Sequence, residues 1–202
     1  MVSCLAVIPC RGGSKGVHRK NLREIDGIPL VAHTIHAANA SKLITRTIVS
    51  TDDDEIASVA KEYGGDVPFI RPEKYATDQA KSIDVVLHAL NKCSEQFKEQ
   101  YDYLILLQPT SPFRDNIHID SAIKMLVGNK NAESLISVKE VPNECNPHYI
   151  YKILDDNYCQ PLIDSKEIIR RQDQPKSYVR NGAIYVVKVP YLLQNESLMA
   201  ER

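Results

Sequence analysis

The sequence has no apolar run long enough to cross a bilayer: the longest, Tyr103 to Leu107 and Ala183 to Val189, fall far short of the roughly 20 residues a spanning helix needs. No charged-then-apolar leader precedes the first apolar segment, so the expectation is a cytoplasmic protein with no membrane partner. Cysteine is sparse and unpaired in pattern. The five residues Cys4, Cys10, Cys93, Cys145 and Cys159 are an odd number, widely scattered, with no Cys-x-x-Cys pair. That spacing argues against a disulfide framework or structural zinc and for incidental or buried thiols. An excess of one charge is missing too: 25 Lys+Arg stand against 26 Asp+Glu, a formal net charge of −1. No global field draws in nucleic acid, and any anion site has to be local. Internal repeats, low-complexity stretches and a Pro/Gly/Ser-rich linker are all lacking. A chain of 202 residues then reads as a single domain over 1–202 with one core.

What is present is an alternation of short apolar runs with segments of helical period. Cys4 to Pro9, Arg46 to Ser50, Val67 to Ile70, Tyr103 to Leu107, Ser134 to Val138 and Ala183 to Val187 read as strands. Between them, Leu30 to Ala40 places Leu30, Val31, Thr34, Ile35 and Ala38 on one helical face. The acidic turn Thr51-Asp52-Asp53-Asp54 reads as the cap of a second helix carrying Ile56, Val59 and Ala60. Ser82 to about Phe97 and Asn116 to Leu126 are amphipathic in the same way. This order predicts an α/β fold, a Rossmann-like and mostly parallel sheet with helices on both faces and ligands at the carboxyl ends of the strands. From Pro142 to Val179 the pattern changes. Short strands Tyr149 to Leu154 and Tyr158 to Leu162 flank Asp155-Asp156-Asn157, and a polar stretch follows from Asp164 to Ser177. Such a segment is too poor in apolar residues to build a core, so it is expected to be a small insertion that packs against a partner subunit.

The first strand opens into Cys10-Arg11-Gly12-Gly13-Ser14-Lys15-Gly16-Val17-His18-Arg19-Lys20-Asn21-Leu22. Glycines allow close approach of the backbone to an anion, and Arg11, Lys15, Arg19 and Lys20 add positive charge, so the loop reads as a nucleotide-phosphate site. It is neither Gly-x-x-x-x-Gly-Lys-Ser/Thr nor Gly-x-Gly-x-x-Gly. Taken alone, it is also compatible with an ordinary strand-to-helix turn bearing solvated cations. Parallel strands would bring to the same edge Thr51 to Asp54, Arg71 to Ser82, Gln108 to Arg114 and the residues around Arg180 to Tyr185. Two prolines stiffen Gln108-Pro109-Thr110-Ser111-Pro112 so that the Gln108 amide can be held toward a ligand. Thr77-Asp78 and Ser82 are open to two readings, ligand contacts or helix caps.

Arg11-Gly12-Gly13-Ser14-Lys15-Gly16 with Lys20-Asn21-Leu22, Val49-Ser50-Thr51-Asp52, Arg71-Pro72, Ala80 with Ser82, Leu107-Gln108-Pro109-Thr110-Ser111-Pro112, and Asn181-Gly182-Ala183-Ile184-Tyr185 resemble the successive motifs of the acylneuraminate cytidylyltransferases. These are the CMP-sialic acid synthetases, together with their legionaminate-activating relatives. The octulosonate enzymes fit less well, since they usually carry Arg where Lys15 stands and Pro-Gly-Lys where Arg19-Lys20-Asn21 stands. The resemblance implies transfer of CMP from CTP to the anomeric hydroxyl of a nine-carbon 2-keto acid sugar. It implies Lys20 and Arg11 as catalytic groups at the phosphates, with Ser14, Lys15, Asn21, Arg71, Ala80 and Ser82 binding the nucleotide. Gln108 would lie between nucleotide and sugar, and Tyr185 would line the sugar pocket. An Arg of the insertion would reach the neighbouring subunit's sugar site in a homodimer; Arg171 matches best and Arg170 competes, with Arg180 another candidate for the sugar carboxylate.

The resemblance also implies Mg²⁺, held by aspartates in an Ile-Asp-x-x-x-Asp-like segment after the last strand. The sequence ends at Met199-Ala200-Glu201-Arg202 without that segment, and the expectation is that those ligands lie beyond Arg202. No metal ligand is assigned within the chain, because Asp52, Asp53 and Asp54 read as helix caps. Two other readings stay open: a cytidylyltransferase for another sugar acid, such as octulosonate, and a catalytically idle nucleotide-binding domain.

Overall fold

Alternating small and branched apolar residues over Cys4–Pro9, strand β1, send side chains to both faces of a sheet, and both faces are covered. The computed structural model describes residues 2–163 and 175–201. A two-stranded ribbon, β2 (Glu24–Ile25) and β3 (Ile28–Pro29), leads into helix α1 (Leu30–Asn39), strand β4 (Arg46–Ser50) and helix α2 (Asp54–Glu62). Helix α3 (Ser82–Phe97), strand β5 (Tyr103–Leu106), helix α4 (Asn116–Gly128) and strand β6 (Ser134–Glu140) follow. After the insertion, with strands β7 (Tyr151–Ile153) and β8 (Cys159–Pro161), come strand β9 (Tyr178–Lys188) and helix α5 (Val189–Asn195). Two units result, residues 1–137 with 182–202 and residues 138–181.

In the first unit the sheet order is β4-β1-β5-β9-β6. β1 pairs in parallel with β4 and with β5, whereas β9 runs antiparallel to β5, with Ile105 opposite Val186 and Leu106 opposite Tyr185. The reversal of β9 brings its residues just before Tyr185, from Gly182 on, to the same edge as the carboxyl ends of the parallel strands. Ala6, Ile8 and Ile105 point toward Val31 and Ile35 of α1, Ile56 of α2, and Ile119 and Ile123 of α4. Leu5, Val7 and Leu104 point the other way, toward Val86, Ala89 and Leu90 of α3 and Leu192 of α5. Helices on both faces are therefore what the periodicities predicted, and the fold is Rossmann-like α/β with mostly parallel core strands.

One expected strand does not form. Val67 to Ile70 touches the sheet only at its ends, where Asp66 bridges Ile48 and Ile70 bridges Thr51. Pro68 sits between them and has no N–H to give a ladder, so the segment bows away and returns as Arg71 N donates to Thr51 O at 2.7 Å. The three acidic residues after β4 also divide their work. Only Asp53 caps α2, accepting from Glu55 N and Ile56 N at 3.0 Å each.

In the second unit, β7 and β8 pair antiparallel around the expected Asp155-Asp156-Asn157 turn, each shorter than predicted. Asn157 takes a left-handed φ of 66°, a conformation Asn tolerates, and Leu154 N donates to Tyr158 O at 2.9 Å. Asn146, buried here, donates from Nδ2 to Pro175 O at 3.1 Å.

Ile105 is fully buried between β1 and β9. Ile105→Ala is expected to lower unfolding free energy by about 2–5 kcal/mol, read as a drop in the urea midpoint at unchanged slope.

Candidate active site

The site begins where β1 stops. Cys10 N still donates to Ser50 O (2.9 Å), continuing the β1–β4 pairing by one bond, and the chain then turns into the Gly-rich loop. Gly12 N donates to Asp52 Oδ1 at 3.1 Å. Any side chain at position 12 would collide with Asp53, whose Oδ2 lies 2.6 Å from where a Cβ would stand, so glycine is required there by close approach. The loop is closed from below by Asn21, a buried residue whose Nδ2 donates to Arg11 O at 3.0 Å. Residues 20–22 form a single 3₁₀ turn, entered through Arg19 in the left-handed region at φ 50°.

The four cations of the loop go to different places. Arg19 turns to the start of α2 and pairs with Asp53 (3.1 Å) and Glu55 (2.7 Å), away from the cavity. Arg11 Nη2 pairs with Asp78 at 2.9 Å while its Nη1 donates to Thr77 O at 3.1 Å. Lys15, largely exposed, pairs with the other oxygen of the same carboxylate at 2.6 Å. Lys15 and Arg11 together hold the Asp78 carboxyl below the usual carboxylate range. The Lys20 ammonium, in contrast, makes no hydrogen bond or ion pair among the described residues, and it lines the cavity.

That cavity has a volume of about 340 Å³ and sits at the carboxyl edge of the parallel strands. Of the residues expected at the nucleotide, Arg11, Ser14, Lys20 and Asn21 line it from the first loop. Arg71, Ala80, Ser82 and Gln108 line it from the other strand-end segments. Lys15 does not line it and instead holds Asp78 from outside. Tyr185 faces the α3 side of the core. Arg180 is an exposed residue of the second unit, and Arg171 and its competitor Arg170 lie outside the described residues.

Arg71 is only 3% exposed, and its Nη2 donates to Asp52 Oδ1 at 3.3 Å. Burial pushes the guanidinium below its ordinary value, with Asp52 opposing that effect. Its Nε is itself buried and has no partner among the described residues, an unsatisfied donor on a buried charge. Beneath the cavity, complete burial pushes the Cys10 thiol up to about 12. At neutral pH it is held as the thiol rather than the nucleophilic thiolate.

Sequence reasoning did not single out Tyr75 or Val85, which also line the cavity, as do Thr77 and Asp78, left open between ligand contact and helix cap, and Thr110 of the Gln108 loop. Thr77 and Asp78 are not helix caps: α3 starts at Ser82, and Asp84 accepts from Lys81 N at 3.2 Å. Asp78 is instead a counter-ion for the loop. Its acidic character next to two loop cations was the available signal, but the distance of more than sixty positions in sequence hid the pairing. Divalent metal finds no matching donor set: among the described residues no three His, Cys, Asp or Glu cluster to hold an ion. Asp52 and Asp53 are already committed to Gly12 and Arg71 and to the α2 cap and Arg19.

Residues 5–200 match the family described as cytidylyltransferase. Among curated proteins, the post-translational flagellin modification protein B of Campylobacter coli is 38% identical over 100% of this chain and 84% of that protein. The CMP-N,N'-diacetyllegionaminic acid synthase of Campylobacter jejuni is 37% identical over 100% of this chain and 84% of that protein. The N-acylneuraminate cytidylyltransferase of Escherichia coli O18:K1:H7 is 35% identical over 95% of this chain, which spans 44% of that relative's length. A solved CMP:2-keto-3-deoxy-manno-octonic acid synthetase complexed with CTP superposes with a TM-score of 0.72 over 99% of this chain and 79% of that one. Its 19% identity speaks to fold alone.

Asp78→Asn removes the carboxylate that competes with phosphate oxygens for Arg11 and Lys15. It is expected to tighten nucleoside triphosphate binding several-fold, measured by calorimetric titration at fixed ionic strength. Weaker binding would show that Asp78 organises these cations rather than competing for them.

Proposed function

The chain belongs to the cytidylyltransferase family, and from that premise we propose that it transfers CMP from CTP to the anomeric hydroxyl of a nonulosonic acid of the sialic or legionaminic type. The hydroxyl oxygen forms a bond to the α-phosphorus, the bond from that phosphorus to the bridging oxygen of the β-phosphate breaks, and pyrophosphate leaves. The hydroxyl proton goes to solvent or to a pyrophosphate oxygen. A neutral hydroxyl is a weak nucleophile and the phosphorus is screened by anionic oxygens, so the protein's contribution is in-line positioning and neutralisation of developing charge. The single observation that supports this reading most is the cationic cavity in which Lys20 stands without a counter-ion among the described residues.

In this reading Lys20 and Arg11 act at the phosphates, and Ser14 with Lys15 completes the triphosphate site. Asn21, Arg71, Ala80 through its backbone, and Ser82 bind ribose and cytosine. Gln108 is the boundary between nucleotide and sugar, and Arg171, Arg180 and Tyr185 are the sugar-side residues. Mg²⁺ remains an expectation of the family resemblance; the described residues do not fit it, and no step is assigned to it. The second unit exposes Tyr151, Ile153, Tyr158 and Tyr178, each more than half exposed, which supports a homodimer formed through the insertion. No helix among the described residues is long and apolar enough to cross a membrane, in keeping with the cytoplasmic location proposed here.

Pyrophosphate release from CTP and Mg²⁺, compared across N-acetylneuraminate, legionaminate, pseudaminate and octulosonate, tests the reaction directly. Release with a nine-carbon acid is expected. Release with octulosonate alone would move the assignment to that class, and CTP binding with no release for any sugar at any Mg²⁺ concentration would mark an idle binder. Lys20→Ala is expected to lower turnover by about 100-fold or more while changing CTP affinity far less, because its charge acts mainly on the transition state. Unchanged turnover would remove Lys20 from that role.

A further inference from the structure

Arg114 is 7% exposed and pairs with no carboxylate among the described residues. Its Nη1 donates to Gln108 O at 3.1 Å and to Ala183 O at 2.7 Å, and its Nη2 donates to Thr34 Oγ1 at 2.8 Å. Burial alone pushes this guanidinium down to about 10. A buried charge with only neutral acceptors is costly, and an apolar residue of similar volume is often the more stable choice at such a position. The placement has to be explained by what the three bonds hold.

The β5–β9 ladder runs from Tyr103 opposite Lys188 to Leu106 opposite Tyr185, and there it ends. Just beyond, the two chains part, and the carbonyls of Gln108 and Ala183 both turn to the same Nη1. The guanidinium thus replaces the ladder at the mouth of the sheet and sets the separation of the two segments. Thr34, itself buried in α1, anchors the other arm of the fork. On the cavity side, Gln108 Oε1 lies 2.9 Å from where a Cβ of Gly182 would be, and Gly182 has φ +74°. The amide of Gln108 therefore rests against a backbone position that no side chain can occupy without displacing it.

We propose that Arg114 is a positioning residue: it fixes the main chain of Gln108 against Gly182–Ala183, so that the Gln108 amide is presented to the cavity in one orientation. A lysine cannot reproduce the arrangement, because one nitrogen cannot occupy both Nη positions of the fork. The kinetic part of the inference rests on the reaction proposed above; the structural part does not.

The test uses Arg114→Lys with a readout of each kind. By NMR, the side-chain amide of Gln108, assigned by its loss in Gln108→Met, is expected to give one well-dispersed pair in the wild type. In Arg114→Lys it is expected to shift toward the position of a free glutamine. In the assay, the KM for the sugar acid is expected to rise tenfold or more, while CTP affinity stays within twofold. The same change made on the Gln108→Met background should add little, as for residues acting as one unit. An unmoved Gln108 resonance overturns the proposal whatever the kinetics show. A uniform loss of CTP and sugar binding together with a large fall in Tm reduces Arg114 to a stability role. If the wild type forms no pyrophosphate with any sugar, the reaction assignment has failed, and the Gln108 resonance still decides whether Arg114 positions it.

Discussion

A single oxygen, Oδ1 of Asp52, accepts from Gly12 N at 3.1 Å and from Arg71 Nη2 at 3.3 Å, and the geometry of the cavity follows from that junction. Gly12 belongs to the loop after β1, Asp52 to the turn after β4, and Arg71 to the segment that bridges back to Thr51. Three stretches far apart in sequence are thereby drawn together at the carboxyl edge of the sheet. The constraint works because parallel pairing of β1 with β4 puts both strand ends on the same side, so the turn residues meet without a long reach. Asp53, next in the chain, extends the effect by capping α2 and anchoring Arg19, which sets the direction in which the loop leaves the sheet.

Most of the scaffold was legible because each element carried a period that no neighbouring element contradicted. Ser82 to Phe97 shows its apolar stripe over four turns and forms a helix with those bounds. Val67 to Ile70 has strand composition, yet one proline in the middle removes a donor, and pairing survives only at the ends. The site was legible where one loop carried it. Arg11, Ser14, Lys20 and Asn21 could be grouped by proximity in sequence, and they line one cavity. What the sequence hid were the long-range partners. Neither the Asp78 pairings nor the grip of Arg114 on Ala183 has any periodicity to betray it, since they arise only when the sheet closes.

The two buried arginines show how differently a guanidinium can be accommodated. Arg71 has a carboxylate partner in Asp52, and the residue lines the cavity. Arg114 has only neutral oxygens, and its donors run along backbone carbonyls at the sheet mouth. Removing an ion from water costs on the order of several kcal/mol even after relaxation, and the paired residue recovers more of that than the unpaired one. Arg71, held by a carboxylate and lining the cavity, therefore has the placement of a recognition group, and Arg114 that of a brace.

The distribution of counter-ions also separates affinity from catalysis in this cavity. A triphosphate that reaches Arg11 and Lys15 must take them from Asp78, so it gains the difference between a phosphate and a carboxylate partner rather than a full ion pair. Exchange of one anion for another leaves little net change in local charge, and it favours ligands whose oxygens match both cations at once over single small anions. Lys20 has no such exchange to make. Its field acts on whatever charge arises within the cavity, and charge grows most on the phosphoryl oxygens and the leaving pyrophosphate as the bond to phosphorus breaks. Interactions that strengthen along the reaction coordinate accelerate it, whereas those already complete in the bound state do not. A loop with three neutralised cations and one, Lys20, without a counter-ion among the described residues is therefore suited to hold its substrate moderately and its transition state tightly.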